Sequence, residues 1–181
     1  MTDVVLDTCC LINLCAVGDL RTWLPQKALK WYLPRAVADE AIFLKATSED
    51  TTVQKSPVDL SLYQDAGVLI PCDVAVGSET DLFVRLAVDM DDGEAMALAI
   101  AETRGWSLAS DDRKAMKVAR RRGVQVLTTA EVIRDWSADT HVPHEGIVTA
   151  LTRIERLARF IPAPDYPLYE WWCEILGGHP N

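Results

Sequence analysis

The residues of this sequence most able to do chemistry are acids in four separate segments. Asp7 ends the apolar run VVL and precedes a threonine, two cysteines and further apolar residues. Glu40, Glu94 and the pair Asp111–Asp112 follow in separate segments. An ionised carboxylate is costly to bury unless it is paired or binds a cation. If these acids converge they require a cation, and Mg²⁺ or Mn²⁺ prefers such hard oxygen ligands.

Four carboxylates around two divalent ions would suit in-line displacement at a phosphodiester. Each acid taken singly also has a structural interpretation, and these alternatives stay open at this point. Asp111 could cap a helix, Glu94 could be a favourable first-turn acid, and Glu40 could be a solvated helix residue. Asp7 is harder to explain in this way because it lies between apolar segments.

One strongly basic segment, RKAMKVARRR at 113–122, directly follows the acidic pair. It holds six basic residues and no acid, whereas the net charge of the whole chain is −9. The remainder therefore carries −15, because the total of −9 includes +6 from this segment. Contacts with a polyanion would be confined to the basic segment and would depend strongly on salt. The alternative is a solvated face with bases near the negative end of a helix.

The cysteines and the hydropathy pattern limit the other classes of protein. Five cysteines are an odd number, and none is spaced as C-x-x-C, which argues against a disulfide framework and a zinc site. Reduced thiols in a cytoplasmic protein are the simpler account. No apolar run of about 18 residues predicts a membrane span, and Asp3 and Asp7 interrupt any signal-like start. We therefore expect a cytoplasmic location and no membrane partner.

Apolar runs of strand length alternate with segments of helical spacing. The predicted strands are VVLD (4–7), GVLIPCDV (67–74), WSLAS (106–110) and VQVLT (124–128). The predicted helices are 10–20, 35–46, 79–90, 91–105, 111–123, 129–136, 144–160 and 168–176. Residues 47–59 are polar, contain a proline and are predicted to form a loop. This alternation predicts an α/β fold with an open, mostly parallel sheet covered on both faces, and the length favours one domain over 1–181.

In such a sheet, ligands bind beyond the carboxyl ends of the strands. Asp7 and Asp111–Asp112 directly follow predicted strands. Glu94 lies in the first turn of the helix 91–105, and Glu40 lies within the helix 35–46. The topology therefore predicts that acids from distant segments meet at one edge of the sheet.

Four motifs, taken together, resemble those of PIN domains, and they occur in the family order over residues 3–135. They are VVLDTCCLINL, PRAVADEA, DDGEAMALAIAETRG and SLASDDRKAMKVARRRGVQVL. The chain is also similar to PIN toxins of type II toxin–antitoxin pairs, but it is longer. We interpret 140–181 as a C-terminal helical extension packed on the domain.

The resemblance implies a three-layer α/β/α sandwich and a divalent-metal-dependent endoribonuclease. It matches Asp7, Glu40, Glu94 and Asp111 to the acidic catalytic quartet, with Asp112 as a further candidate. Asp7, Glu94 and Asp111 would be the ligands of Mg²⁺ or Mn²⁺, although some family members have Asp where this chain has Glu94. The residues expected to contact substrate are Thr8, Ser110, Arg113, Lys114, Lys117 and Arg120. Asn13 could also point into the site. RNA, an antitoxin protein and a second copy in a homodimer are the partners that the resemblance implies.

Two rival functions remain. The chain could be a non-catalytic PIN-like interaction module whose late helices, with Tyr169, Trp171 and Trp172, bind a protein partner. Core packing of a terminal helix explains the same aromatic cluster. A phosphatase or phosphotransferase with Asp7 as nucleophile is the weaker rival. Such enzymes commonly have a second Asp two residues later, where this chain has Cys9.

Overall fold

A computed structural model describes residues 2–25, 29–40, 42–47 and 53–178 of the chain. The strands in these ranges are β1 (Thr2–Leu6), β2 (Leu29–Pro34), β3 (Phe43–Thr47), β4 (Val53–Pro57), β5 (Leu69–Cys72), β6 (Ser107–Ala109) and β7 (Val126–Leu127). Five of them form a parallel sheet in the order β5-β2-β1-β6-β7. The predicted parallel sheet is therefore confirmed.

Helices cover both faces of this sheet and make the fold a three-layer α/β/α sandwich. They are α1 (Thr8–Val17), α2 (Leu20–Trp23), α3 (Arg35–Asp39), α4 (Ser61–Asp65), α5 (Ser78–Leu86), α6 (Asp92–Arg104), α7 (Arg113–Arg121), α8 (Thr129–Asp139), α9 (His144–Arg153) and α10 (Tyr169–Ile175). Side chains alternate along β1: Val4 and Leu6 enter the core that contains α1, while Val5 enters the core that contains α6. None of the helices in the described ranges is both long and apolar enough to cross a membrane.

The predicted helix 35–46 is wrong beyond Asp39, because the chain leaves helical geometry at Glu40 and continues as β3. Ile42 is buried and Leu44 partly buried, whereas Phe43 and Lys45 are exposed, so burial alternates with the period of a strand. The predicted loop 47–59 is also wrong in part. Residues 53–57 form β4, which pairs antiparallel with β3. Residues 48–52 lie outside the described ranges.

The C-terminal residues pack on the helical layer that contains α1. Helix α9 continues into a π-helical turn, Ile154–Ala158, and both contact α1, while α10 packs against α9. Trp172 of α10 is fully buried, and its indole Nε1 donates a hydrogen bond of 2.9 Å to Glu155. Core packing therefore accounts for Trp172 within the predicted aromatic cluster.

Candidate active site

Asp7 occupies the junction between β1 and α1 and is completely buried. Its backbone N–H donates to the carbonyl of Ala109 on β6 at 3.0 Å, which continues the pairing of the two strands. Its Oδ1 accepts hydrogen bonds from the N–H of Cys10 at 2.9 Å and from the thiol of Cys9 at 3.1 Å. Burial raises the pKa of Asp7 to about 7, and hydrogen bonds from Ser110 and Cys10 oppose this rise. Asp7 thus caps α1 with a carboxylate that is poorly solvated.

Asp111 follows β6, the strand beside β1, and only 5% of its surface is exposed. Its carboxylate accepts hydrogen bonds from the Asn13 amide at 2.9 Å, from the Thr129 N–H at 3.0 Å and from the Thr129 hydroxyl. Burial raises the pKa of Asp111, against the effect of these donors. The Asp111 N–H also donates to Sγ of Cys9 at 3.3 Å, so this thiol links Asp111 to Asp7. Two buried acids therefore lie at the carboxyl ends of neighbouring parallel strands.

Glu94 reaches the same region from the first turn of α6. Asp91 caps that helix by accepting a hydrogen bond of 2.9 Å from the N–H of Glu94. Burial, together with the charges of Asp112, Asp91 and Asp7, raises the pKa of Glu94 to about 7. These charge effects place Glu94 electrostatically within the acidic cluster that contains Asp7.

Glu40 is exposed and follows the end of α3. The sequence had predicted that Glu40 lies within a helix, and this prediction is wrong. Its carboxylate lies over Gly93, where an added Cβ would collide with Glu40 Oε1 and lie 3.1 Å from the hydroxyl of Thr8. Partial burial raises the pKa of Glu40, the Thr8 hydroxyl offsets part of the rise, and the charges of Asp91 and Asp92 add to it. Glu40 therefore borders the site on the Thr8 side.

The hydroxyl of Thr8 is buried, and among the described residues it has no hydrogen-bond partner of good geometry. A buried polar atom in this condition is uncommon in a native protein and calls for an explanation. Its position beside Glu40 and Gly93 leaves the hydroxyl available to a ligand of the acidic site.

Ser110 and Asp112 have structural contacts of their own. Ser110 is fully buried, and its hydroxyl accepts a hydrogen bond of 3.1 Å from the N–H of Asp112. Asp112 caps α7 by accepting a hydrogen bond of 2.8 Å from the N–H of Ala115. Ser110 and Asp112 thus hold one another in place, and the contact of Ser110 with substrate stays a prediction.

The basic residues predicted to contact substrate all lie on α7, which begins two residues after Asp111. Arg113 forms an ion pair with Asp165, and Lys114 donates a hydrogen bond to the backbone carbonyl of Asp89. Lys117 and Arg120 are exposed. The basic segment is therefore a helix face adjoining the acidic cluster.

A family model for PIN domains, DUF3368, matches residues 3–164 of the chain. The chain belongs to this PIN-domain family. Most PIN domains are nucleases. The matched region extends beyond the fourth motif into α9 and the segment that follows it.

The chain also resembles a protein of known structure. No curated protein matches the chain. Among solved structures, a PilT N-terminus domain protein from the hyperthermophilic archaeon Sulfolobus solfataricus P2 is similar, with 17% identity and a TM-score of 0.47. The match covers 75% of this chain and 93% of that one.

PIN domains generally use divalent metal ions, and the donors of this PIN domain fit such an ion chemically. Asp7, Glu94 and Asp111 offer hard carboxylate oxygens, and mutual repulsion contributes to the raised pKa of both Asp7 and Glu94. Across the described ranges, no three His, Cys, Asp or Glu side chains converge closely enough as they stand to hold one ion. The side chains of Asp7, Glu94 and Asp111 would therefore have to move in order to bind one ion together.

Of the two described residues that donate hydrogen bonds to the Asp111 carboxylate, the sequence indicated only Asn13. Asn13 does point inward, as the sequence allowed, and it also donates to the Thr129 hydroxyl at 3.2 Å. Thr129 was missed by the sequence reasoning. A signal was present, since Thr129 follows β7 closely and β7 pairs with β6, the strand that precedes Asp111. The rule that ligands gather at strand ends applies to Thr129 as well.

Proposed function

We propose that this PIN domain is an endoribonuclease that depends on Mg²⁺ or Mn²⁺. The observation that carries the proposal is the pair of buried carboxylates, Asp7 and Asp111, at the ends of adjacent parallel strands. No Lys, Arg or His forms an ion pair with either of them among the described residues. A divalent cation would supply the missing positive charge, and the cationic helix α7 would bind the phosphates of a substrate close to the two acids.

The proposed roles follow from these positions. When bound, the cation would lower the pKa of a water molecule and polarise a phosphoryl oxygen. Asp7, Glu94 and Asp111 would hold the cation. Glu40 and Asp112 would orient the attacking water.

Residues around these acids would keep them in place. Asn13 and Thr129 fix the orientation of the Asp111 carboxylate, as partners of metal ligands commonly do. Lys117 and Arg120 would contact the RNA backbone without reading its sequence. No histidine is needed in this scheme.

Cleavage of labelled single-stranded RNA in Mn²⁺ tests the proposal, with the Asp7→Asn variant and an EDTA arm beside the wild type. Asparagine keeps the oxygen that caps α1 but removes the charge, so we expect a loss of at least about 100-fold in rate with the fold intact. Asp19→Asn is the matched control, because Asp19 caps α2 through the N–H of Arg21 in the same way. The proposal is overturned if wild-type protein cuts no RNA in Mn²⁺, or if Asp7→Asn cuts at the wild-type rate.

The toxin role, the antitoxin partner and the homodimer stay predictions of the resemblance to PIN toxins. If the chain is a toxin, its induced expression should arrest growth, and expression of the Asp7→Asn variant should not.

A further inference from the structure

The segment between the π-helical turn and α10 packs on α7 beside the acidic cluster. The hydroxyl of Tyr166 donates a hydrogen bond to the backbone carbonyl of Asp111. The guanidinium carbon of Arg113 lies 5.5 Å from the centroid of the Tyr166 ring, and Arg113 also pairs with Asp165. This segment is thus tied both to a candidate metal ligand and to the first residue of the basic helix.

A groove of about 500 Å³ lies between α7 and this segment. One wall carries four cations, and the other carries an aromatic ring and a proline; these residues are Arg113, Lys117, Arg120, Arg121, Tyr166 and Pro167. Its volume falls within the range of roughly 300–1,000 Å³ that is usual for ligand pockets. Cations suit phosphates, and an aromatic face suits a nucleobase.

We infer that this groove binds a nucleotide of the RNA next to the cleaved bond, with its phosphate on the cations and its base against the Tyr166 ring; this inference rests on the proposed function. Bases of an RNA duplex are stacked on one another and are not free to lie against Tyr166, whereas those of a single strand are. An acidic peptide could pair with the cations, whereas a nucleotide supplies both a phosphate for the cations and a planar base for the Tyr166 ring. Tyr166 and Arg121 thereby join the residues that contact substrate, and the C-terminal segment becomes part of the site.

Asp165 also lines this groove, where its carboxylate forms an ion pair with Arg113. The side chains of Arg113 and Asp165 are 60% and 70% exposed, so their ion pair is weak and easily exchanged. A phosphate of the substrate would replace the Asp165 carboxylate on Arg113. Removing the charge of Asp165 should therefore strengthen RNA binding.

Fluorescence anisotropy in EDTA at low salt, with a short labelled single-stranded RNA and the matching duplex, tests this inference without cleavage. Tyr166→Leu should weaken single-strand binding by roughly 5- to 150-fold, since stacking of a base on an aromatic ring contributes that much. Tyr166→Phe keeps the ring and should bind as the wild type does. Asp165→Asn should bind several-fold more tightly, and the duplex should bind more weakly than the single strand.

Tyr63→Leu is the control for loss of a tyrosine, because Tyr63 is half-buried and does not line the groove. Thermal unfolding of every variant separates loss of binding from loss of the fold. The inference is overturned if Tyr166→Leu binds like the wild type while folded, if Tyr166→Phe loses as much as Tyr166→Leu, or if the duplex binds equally well. It is also overturned if the wild type binds neither RNA.

Failure of this inference can be distinguished from failure of the proposed function. If Tyr166→Leu does not affect RNA cleavage in Mn²⁺, the groove does not bind the substrate and the proposed nuclease activity stands. If single-stranded RNA binds in a way that depends on the Tyr166 ring but is not cleaved in any divalent metal, the proposed nuclease activity is wrong. RNA binding in the groove then still stands.

Discussion

The side-chain amide of Asn13 donates a hydrogen bond of 2.9 Å to Oδ2 of Asp111, joining residues 98 positions apart in the sequence. The N–H of Thr129 donates to the other carboxylate oxygen at 3.0 Å. The first helix and the start of α8 therefore fix both oxygens of an acid that ends β6. This arrangement makes the orientation of Asp111 a property of the tertiary structure.

Replacing Asn13 with alanine should destabilise the protein and disturb Asp111. Loss of a donor to a buried carboxylate costs about 1–3 kcal/mol, so we expect the Tm to fall by roughly 3–10 °C. With one donor fewer, the pKa of Asp111 should rise further, and RNA cleavage should require a higher pH to reach half its maximum rate.

Differential scanning calorimetry and a pH–rate profile measure the two effects. Thr129→Val should act in the same direction, whereas Thr149→Val, which removes an exposed hydroxyl from α9, should change neither quantity. Unchanged Tm and an unchanged profile in Asn13→Ala would show that Asp111 does not depend on this bond.

The pH dependence of stability provides a second prediction, because burial raises the pKa of Asp7 from 3.8 and that of Glu94 from 4.5, each to about 7. In the metal-free protein, the folded state keeps these protons up to about pH 7, whereas the unfolded chain releases them near pH 4. The folded state binds more protons over this interval, so the free energy of unfolding should fall as the pH rises from about 4 to 7. A divalent cation offsets this loss.

We therefore expect Mn²⁺ to raise the Tm more at pH 8 than at pH 5, and Asp7→Asn to raise the Tm of the metal-free protein at pH 8. Thermal unfolding with and without Mn²⁺ at both pH values provides the measurement. Asp19→Asn controls for the removal of one negative charge from an acidic chain. A non-catalytic module without a metal site would show the same small response to Mn²⁺ in the wild type and in Asp7→Asn.

The positions of Asp7 and Asp111 could be predicted because each directly follows a short apolar run. Such a run is a local signal for a strand. Once those strands are parallel neighbours, their ends must lie together, and this consequence needs no knowledge of side-chain packing. The bounds of α6 were equally accessible, since Asp91 caps it and Gly105 ends it in the left-handed conformation.

The segment after Pro34 could not be predicted in the same way. Val37, Phe43 and Leu44 have a spacing that suits one helix, but β3 is stabilised by pairing with β4 and by contacts with the π-helical turn. Those partners are distant in sequence, and the period alone does not reveal them. The contact between Tyr166 and Asp111 could not be predicted for a related reason. It depends on the path of the C-terminal segment, which brings Tyr166 to Asp111.

Gly93 provides the third prediction, because it leaves the space that the Glu40 carboxylate occupies. An alanine there would collide with Oε1 of Glu40 and lie 3.1 Å from the Thr8 hydroxyl. Glu40 is an exposed, flexible side chain that can swing away, and alanine suits a helix better than glycine. We expect Gly93→Ala to keep the wild-type Tm within about 2 °C while slowing RNA cleavage roughly as much as Glu40→Gln does.

A double-mutant cycle of cleavage rates shows whether the two changes act together. If Gly93→Ala acts by displacing Glu40, the double variant Gly93→Ala/Glu40→Gln should be no slower than Glu40→Gln alone, because the second change has nothing left to remove. Rates that multiply would instead mean that Gly93 is needed for another reason, such as close approach of substrate to the start of α6. Full activity of Glu40→Gln would remove Glu40 from the proposed catalytic set and leave Asp7, Glu94 and Asp111 as its core.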